Sequence, residues 1–427
     1  MVNHSKHIEE AFLPKDWDYI PISKVVLKTQ QRDPSKKPDE EIKYVDVSGV
    51  NNELFQIQEY SILKGENAPS RARKIIEADD VIFATVRPTL KRVAIVESDL
   101  HKELCSTGYC VLKANKSLVA YRFLYYYLLT DFYINEIAQL QRGASYPAVR
   151  DSDVKGIKIP LPPYSEQQSI SHILTLMQSA IQKQEQIIRT TTELKNALMQ
   201  KLFTEGTKGE AQKQTEVGLI PASWEVKKIE NVGFNFLGGG TPSTKNDKYW
   251  IGDIHWTTSK RLATDKIYLE DGERRISKIG LGNSSSNVVP KNNLIVSTRV
   301  TVGKVAINLV DMAISQDLTG ILINRKKYCL EFLAYQILTE RVQRIFEAQK
   351  RGATIKGITR EDLKDIRLAI PKTKIEQEEV ANSLMVLDRK LQHHQTKKQT
   401  LMALFRSMLH QLMTGQIRVK DLQFKKV

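Results

Sequence analysis

Val81–Ile82–Phe83–Ala84–Thr85–Val86–Arg87, closing on Val93–Ala94–Ile95, has a second version at Leu294–Ile295–Val296–Ser297–Thr298–Arg299, closing on Val305–Ala306–Ile307. Both are apolar β-like runs that stop at an arginine and resume on a Val–Ala strand. On either side of these runs, Pro14–Lys15–Asp16–Trp17 reappears as Pro221–Ala222–Ser223–Trp224, and Arg142–Gly143–Ala144–Ser145 as Arg351–Gly352–Ala353–Thr354. Each copy then reaches a Pro-marked turn (Leu161–Pro162–Pro163, Ile370–Pro371–Lys372), a Glu–Gln pair (Glu166–Gln167, Glu376–Gln377) and a long helical pattern. The order is module, helix, module, helix. Such a chain can set two similar surfaces around a pseudo-twofold axis, which suits a partner that is itself two-fold. Duplex DNA is the leading candidate.

Charge points the same way. The 427 residues carry 64 Lys plus Arg against 49 Asp plus Glu, a formal net charge of +15. A surplus of that size favours a polyanionic partner, nucleic acid first and acidic membrane second. The length suits two to three domains, each with its own core. Three cysteines (Cys105, Cys110, Cys329) cannot make a disulfide framework and lack the His partners of a zinc site. They suit a reducing cytoplasm. The polar Met1–Glu10 carries no apolar signal region, and Phe123–Leu129 is far shorter than the roughly 20 residues of a membrane helix. The expectation is a soluble cytoplasmic protein.

Within residues 1–160, β-like runs at Val81–Val86, Arg92–Val96 and Tyr109–Lys113 precede a helix-like segment from Tyr121 to about Leu140. Residues 206–370 repeat that order with Leu294–Thr298, Lys304–Leu309, Thr319–Ile323 and a helix from Leu330 to about Lys350. Mixed strands with a late helix predict compact α/β (α+β) modules and not a bundle. Residues 206–218 read as a linker into the second module, Asn283–Asn287 as an exposed loop, and 416–427 as a tail.

The intervening stretches, 161–205 and 371–415, carry heptad seams. Ile170, Leu174, Met177, Ile181, Gln184, Ile188, Thr191, Lys195, Leu198 and Leu202 alternate steps of four and three. Val380, Leu384, Leu387, Leu391, His394, Lys398, Leu401, Phe405, Met408 and Leu412 do the same, each about 210 residues on. Seams in identical phase predict two helices that pack on each other as an antiparallel coiled coil, each of about 37 residues and roughly 55 Å. Such a pair would act as a ruler between the modules. Gln184, His394 and Lys398 interrupt the seams, which costs stability but can fix register.

Signals for chemistry are missing. No G-x-x-x-x-G-K-[ST] loop is present, and Gly238–Gly239–Gly240 leads into Thr241–Pro242 without the spacing of a dinucleotide site. Leu161–Pro162–Pro163–Tyr164 resembles the tail of an amino-methyltransferase motif but has Leu where the polar group that holds the amine belongs. Pro38–Asp39 followed by Glu41–Ile42–Lys43 is too tightly spaced for a nuclease. The eight histidines form no metal pair on a helix face, so the chain reads as non-catalytic and metal-free.

The whole chain resembles a specificity subunit of a type I restriction-modification system. Gly239–Gly240–Thr241–Pro242–Ser243–Thr244, then Tyr249–Trp250 and Gly252–Asp253–Ile254–His255–Trp256, is very like the opening of many target recognition domains of that family. Leu161 to Gln167 is similar to its Pro-Pro-x-x-Glu-Gln lead into a spacer helix, and Ile370–Gln377 is a looser copy. The first module has Leu27–Lys28–Thr29–Gln30–Gln31–Arg32 in place of Gly-Gly-Thr-Pro, which implies a different subtype reading a different half-site. The resemblance implies two target recognition domains, each reading one half of an asymmetric bipartite DNA target, with the spacer helices setting the gap. It also implies two docked modification (methyltransferase) subunits that methylate adenine with S-adenosylmethionine. Restriction (motor and nuclease) subunits using ATP and Mg would complete the complex, leaving this chain without a cofactor of its own. Two competing readings stand beside it: a partner subunit of a type II-like fused nuclease-methylase, and a coiled-coil scaffold that never reads DNA.

Candidate contacts follow from the loops. Arg87 and Arg299 end a strand and are placed to reach a guanine edge or a phosphate, or are solvated turn residues. Lys91, Arg92 and Lys304 in the same loops suit phosphate contact. Arg142 and Arg351 read first as cations beside a left-handed helix stop at Gly143 and Gly352, which explains both Arg and Gly, and second as DNA contacts; Ser145 and Thr354 are not needed for such a cap and stay open as base or sugar contacts. Lys260 and Arg261, after Trp256–Thr257–Thr258–Ser259, resemble the family's DNA-facing segment or form a surface turn. Trp17 and Trp224 read as module core.

Overall fold

The computed structural model describes residues 13–262, 266–352 and 356–421. The chain folds as two compact units, one of residues up to Gln186 with those from Thr396 onward, the other Ile187–Gln395.

In the first unit the run Val81–Ala84 is a strand buried on both faces, which is why it is continuously apolar and not alternating. It lies in a sheet ordered Val26–Leu27, Tyr109–Ala114, Val81–Ala84, Val93–Ile95, all antiparallel. One face, through Ile82 and Ala84, joins a core with Val45, Ile76, Tyr109 and Val111. That core also takes in a second sheet ordered Ser61–Lys64, Glu41–Val45, Glu103–Ser106, Ala72–Ile76, whose middle pair is parallel. The other face, through Val81 and Phe83, packs on aromatic helices Tyr121–Leu128 and Asp131–Gln139. One helix was expected over that stretch. It breaks at Thr130, whose hydroxyl accepts from Tyr133 N and starts a second helix.

The second unit repeats this plan. Its sheets run Arg274–Ile276, Ile254–Thr257, Met312–Ile314, Val288–Val289, and Gly233–Gly238, Leu318–Ile323, Leu294–Ser297, Val305–Asn308, Tyr268–Leu269. The middle pair of the first sheet is again parallel, and helices Leu330–Ile337 and Glu340–Gln349 again cover the second sheet. In each unit a two-stranded ladder ties the start of the module to the residues just before a long helix: Asp18–Pro21 with Lys158–Leu161, and Glu225–Lys228 with Arg367–Ile370.

The long helices are Tyr164–Glu205 and Lys374–Met413. In the first unit, Ile170, Leu174 and Ile181 share a core with Phe405, Leu409 and Leu412. In the second, Leu202 and Phe203 share one with Val380, Ala381 and Leu384. The start of each helix therefore meets the end of the other, the antiparallel pairing the seams predict. Leu391 is buried, while Ile188 and Leu401 are half-buried. The seam does not serve the helix pair alone, because the same residues also cover the modules' aromatic helices. The polar positions are occupied in kind: Lys398 pairs with Glu185 at 2.5 Å, and Lys195 with Asp388 at 2.5 Å.

Two local expectations are corrected. Part of the linker is a hairpin, Gln212–Thr215 against Gly218–Pro221, turned at Gly218 with φ 92°. Asn283–Asn287 is not simply exposed, since Ser286 is buried and its hydroxyl donates to Ile314 O at 2.9 Å.

Candidate nucleic-acid interface

In the first unit the strand Val81–Ala84 runs into a tightly bonded corner. Thr85 N and Oγ1 both donate to Gly108 O, at 2.8 and 2.9 Å, and Val149 N donates to Thr85 O at 2.9 Å. Arg87 N donates to Pro147 O at 2.7 Å, which holds Arg87 in the left-handed region at φ 48°. Arg142 and Ala148 exchange both main-chain bonds, at 2.9 and 3.0 Å, so the intervening residues form an exposed turn. Tyr146 on that turn is 72% exposed, and the Arg87 guanidinium lies over its ring at 5.1 Å from the centre.

The second unit builds the same corner. Thr298 N donates to Asp317 O at 2.9 Å, Ile358 N to Thr298 O at 2.9 Å, and Val300 N to Lys356 O at 3.2 Å. Arg351 and Gly357 exchange both bonds at 2.8 and 2.9 Å. Bond for bond, Thr298 takes the place of Thr85, Arg299 that of Val86, and Val300 that of Arg87. Val300 is also left-handed, at φ 63°. The pairing of Arg87 with Arg299 drawn from the sequence is therefore one residue out of register. The strands match, and the turn to the next strand is one residue shorter in the second unit, as the bonds Ala84 N to Arg92 O and Ser297 N to Lys304 O show.

The remaining candidates differ in what holds them. Lys91 bonds Asp131 at 2.6 Å and Leu129 O at 3.3 Å, at the end of a helix, and Arg92 donates to Val47 O at 2.8 Å. Both cations hold loops together, unlike Arg299 and Lys304. Arg142 pairs with Asp153 at 2.5 Å, and that guanidinium keeps the Asp153 carboxyl below its ordinary range. Arg351 pairs with Asp362 at 3.4 Å; bonds from Thr359, with Arg351 beside them, lower the Asp362 carboxyl likewise. Gly143 and Gly352 are not helix stops. The preceding helices end at Gln139 and Gln349, and the glycines turn the bridged loops at φ 90° and 113°. Ser145 is exposed on the first of these loops, and Thr354 lies outside the described residues. Arg299 is exposed and Lys304 half-exposed, and neither has a bonded side-chain partner among the described residues.

Lys260 and Arg261 are exposed on a short turn, Ser259–Arg261, started by Thr258. Asp317 fixes that turn. Its carboxylate accepts from Ser259 N at 2.8 Å and from the Ser315 hydroxyl, while its main-chain oxygen accepts from Thr298. Thr301 Oγ1 adds a bond to Ser259 O at 3.4 Å. One residue thus joins the loop of Lys260 and Arg261 to the corner of Arg299 and Val300, and Arg299 and Arg351 line one cleft with Gln316. The Gly239–Gly240–Thr241–Pro242 tract feeds the same place. A Cβ on Gly239 would sit 2.0 Å from Ser315 O, so only glycine passes there, and Thr241 Oγ1 then bonds Gln316 at 2.6 Å. Asp317, Gln316, Tyr146 and Val300 were not legible as site residues. The first two sit between strands as ordinary polar residues, and the last two owe their exposure to turn geometry.

Burial pushes the Cys110 and Cys329 thiols up to about 12, and the Cys105 thiol up as well, which suits packing and not nucleophilic chemistry. Among the described residues no helix is long and apolar enough to cross a membrane.

The family model for the type I restriction modification DNA specificity domain matches this chain twice, over residues 14–191 and 221–403. The MjaVIII type I restriction enzyme specificity subunit of Methanocaldococcus jannaschii is 24% identical over 440 residues, covering 98% of this chain and 97% of its own length. A solved chain from work on complex assembly and conformational transition of a type I R-M system is 25% identical, with TM-score 0.57 over 95% of this chain and 99% of that one. The type I restriction-modification S subunit from M. genitalium shares the fold at 13% identity, with TM-score 0.61 over 96% of this chain and 97% of that one.

Proposed function

This chain belongs to the type I restriction modification DNA specificity family, and from that premise we propose that it is the non-catalytic subunit that gives a methyltransferase complex its DNA address. Each module engages one half of an asymmetric bipartite duplex, and the two long helices set the unspecified gap between the halves. The observation that carries this reading is the corner built twice by the same hydrogen bonds, each time presenting exposed cations beside a different side chain. Two half-site contacts held by one scaffold act as a single specific contact, because engagement of the second is intramolecular.

The helices also supply docking positions for two copies of a modification subunit. Leu176 and Leu194 are exposed on the first helix, and Val386 and Leu404 are exposed at the equivalent positions of the second, 210 residues on. Apolar side chains repeated in this way fit two identical partners. Adenine methylation with S-adenosylmethionine, and cleavage with ATP and Mg by restriction subunits, would belong to those partners in the cytoplasm.

The test is co-expression with the cognate methyltransferase subunit and single-molecule sequencing for methyladenine. A bipartite methylated motif that vanishes when this chain is deleted is the expected result. Methylation indifferent to the deletion, with no salt-dependent binding to duplex DNA, would leave only the scaffold reading.

A further inference from the structure

Arg87 and Val300 occupy the same hydrogen-bonded position in the two units, and both are left-handed, at φ 48° and 63°. Left-handed backbone suits glycine, and a β-branched residue there is a genuine outlier. Strain of this kind persists only where the surroundings impose it. Both side chains nevertheless point their bulk at solvent: Arg87 is exposed and Val300 is 62% exposed. Neither contributes to a core, so the position keeps a strained, non-glycine side chain without a packing return. The flanking residues do the opposite. Thr85 and Thr298 are buried and fully bonded, and they hold the corner rigid.

The chemistry at the tip differs between units. The guanidinium of Arg87 has no carboxylate among the described residues and rests on the Tyr146 ring, which leaves its donor edge free and its plane set. Lys91, Arg92 and Arg142, the other candidate cations of that unit, are held by Asp131, Val47 O and Asp153. A planar donor fork held in this way suits the two acceptors on the major-groove edge of guanine, whereas an exposed valine suits the methyl of thymine.

We propose that this left-handed position is a base-reading position in each module, with Arg87 reading a guanine in one half-site and Val300 a thymine methyl in the other. Tyr146 is the positioning residue that fixes the Arg87 plane. The proposal rests on the DNA-address reading above.

Arg87→Gly and Val300→Gly test it within the complete methyltransferase complex, because glycine relieves the backbone strain and so preserves folding. The readout is the methylated motif together with competition binding of duplexes altered at single positions. Arg87→Gly is expected to relax guanine preference at one position of one half-site by about 5- to 150-fold, with the other half unchanged. Val300→Gly relaxes one position of the other half by about fourfold, the worth of one methyl group. Tyr146→Phe keeps the wild-type motif and Tyr146→Ala loosens the position that Arg87 reads. An unchanged motif in both glycine variants overturns the proposal. So does a uniform loss across all sequences with a salt slope shallower by about one, which marks a phosphate contact. A wild-type complex with no bipartite motif sinks the broader reading instead, so the two failures are distinguishable.

Discussion

Trp224 donates its indole N–H to the buried carboxylate of Glu376 across 2.9 Å. The first unit repeats the contact between Trp17 and Glu166 at 3.3 Å. The Glu–Gln pair at the head of each long helix thereby acquires a physical meaning. Its Glu fastens the tryptophan at the start of the module, and its Gln accepts from the main chain ahead of the aromatic helix, Ala120 N to Gln167 and Cys329 N to Gln377, both at 2.9 Å. A cation completes each Glu site from the segment that follows a long helix: Lys208 on Glu376 at 2.7 Å, and Arg418 on Glu166 at 2.6 Å.

Removal of that carboxylate should be costly. Glu376→Ala strands a fully buried indole N–H and a lysine, so we expect a loss of about 2–3 kcal/mol, read as a lower denaturation midpoint. Glu376→Gln, which still accepts from Trp224, should lose less. Equal stability of all three proteins would mean the contact is idle.

Lys195 and Asp388 form a largely buried pair at 2.5 Å, and Asp388 also accepts from the Tyr335 hydroxyl at 2.6 Å. Breaking one side of a buried pair costs roughly 3–5 kcal/mol, because the remaining charge has no counterion. Lys195→Met alone should therefore destabilise far more than Lys195→Met combined with Asp388→Leu. A double-mutant cycle with no coupling would show that water already screens the pair.

Asp80 is buried at 3% exposure, and desolvation raises its carboxyl to about 6. Between about pH 4 and 6 the folded chain holds a proton that the unfolded chain has released, so stability falls as pH rises through that window. Asp80→Asn keeps an oxygen for Glu77 N, which donates to Asp80 at 2.9 Å, and removes the buried charge. We expect a gain of about 1–3 kcal/mol at pH 7 and a flatter stability profile between pH 4 and 6. A loss at pH 7 would contradict the assignment.

The repeat, the buried strands and the helix seams were legible because each depends on periodicity, which a sequence displays directly. Val81–Phe83 and Leu294–Val296 announced themselves by apolar runs, and Ile170, Leu174 and Leu384 by heptad spacing. The site was less legible because hydrogen-bond register decides it. Aligning Arg87 with Arg299 matched residue types, whereas the main-chain bonds match Arg87 with Val300. Lys91 and Arg92 read as phosphate contacts in the sequence, and the structure adds partners for them, Asp131 and Val47 O, that lie far off along the chain. Nothing local in a sequence records such partners.

Asp317 carries the last prediction. Its carboxylate holds Ser259 N, and its main-chain oxygen holds Thr298, so the turn of Lys260 and Arg261 depends on a side chain that need not touch DNA. Asp317→Ala should free the turn while sparing the main-chain bond to Thr298. Duplex binding should weaken by about 10- to 150-fold, the worth of one hydrogen bond to a charged group, roughly 1.5–3 kcal/mol. Lys260→Ala and Arg261→Ala should each weaken binding evenly across sequences and reduce the salt slope by about one. Because the first unit has Gly108 at the equivalent position, its half-site should be untouched by Asp317→Ala in single-position competition. Relaxation of both half-sites together would show that the modules do not read DNA independently.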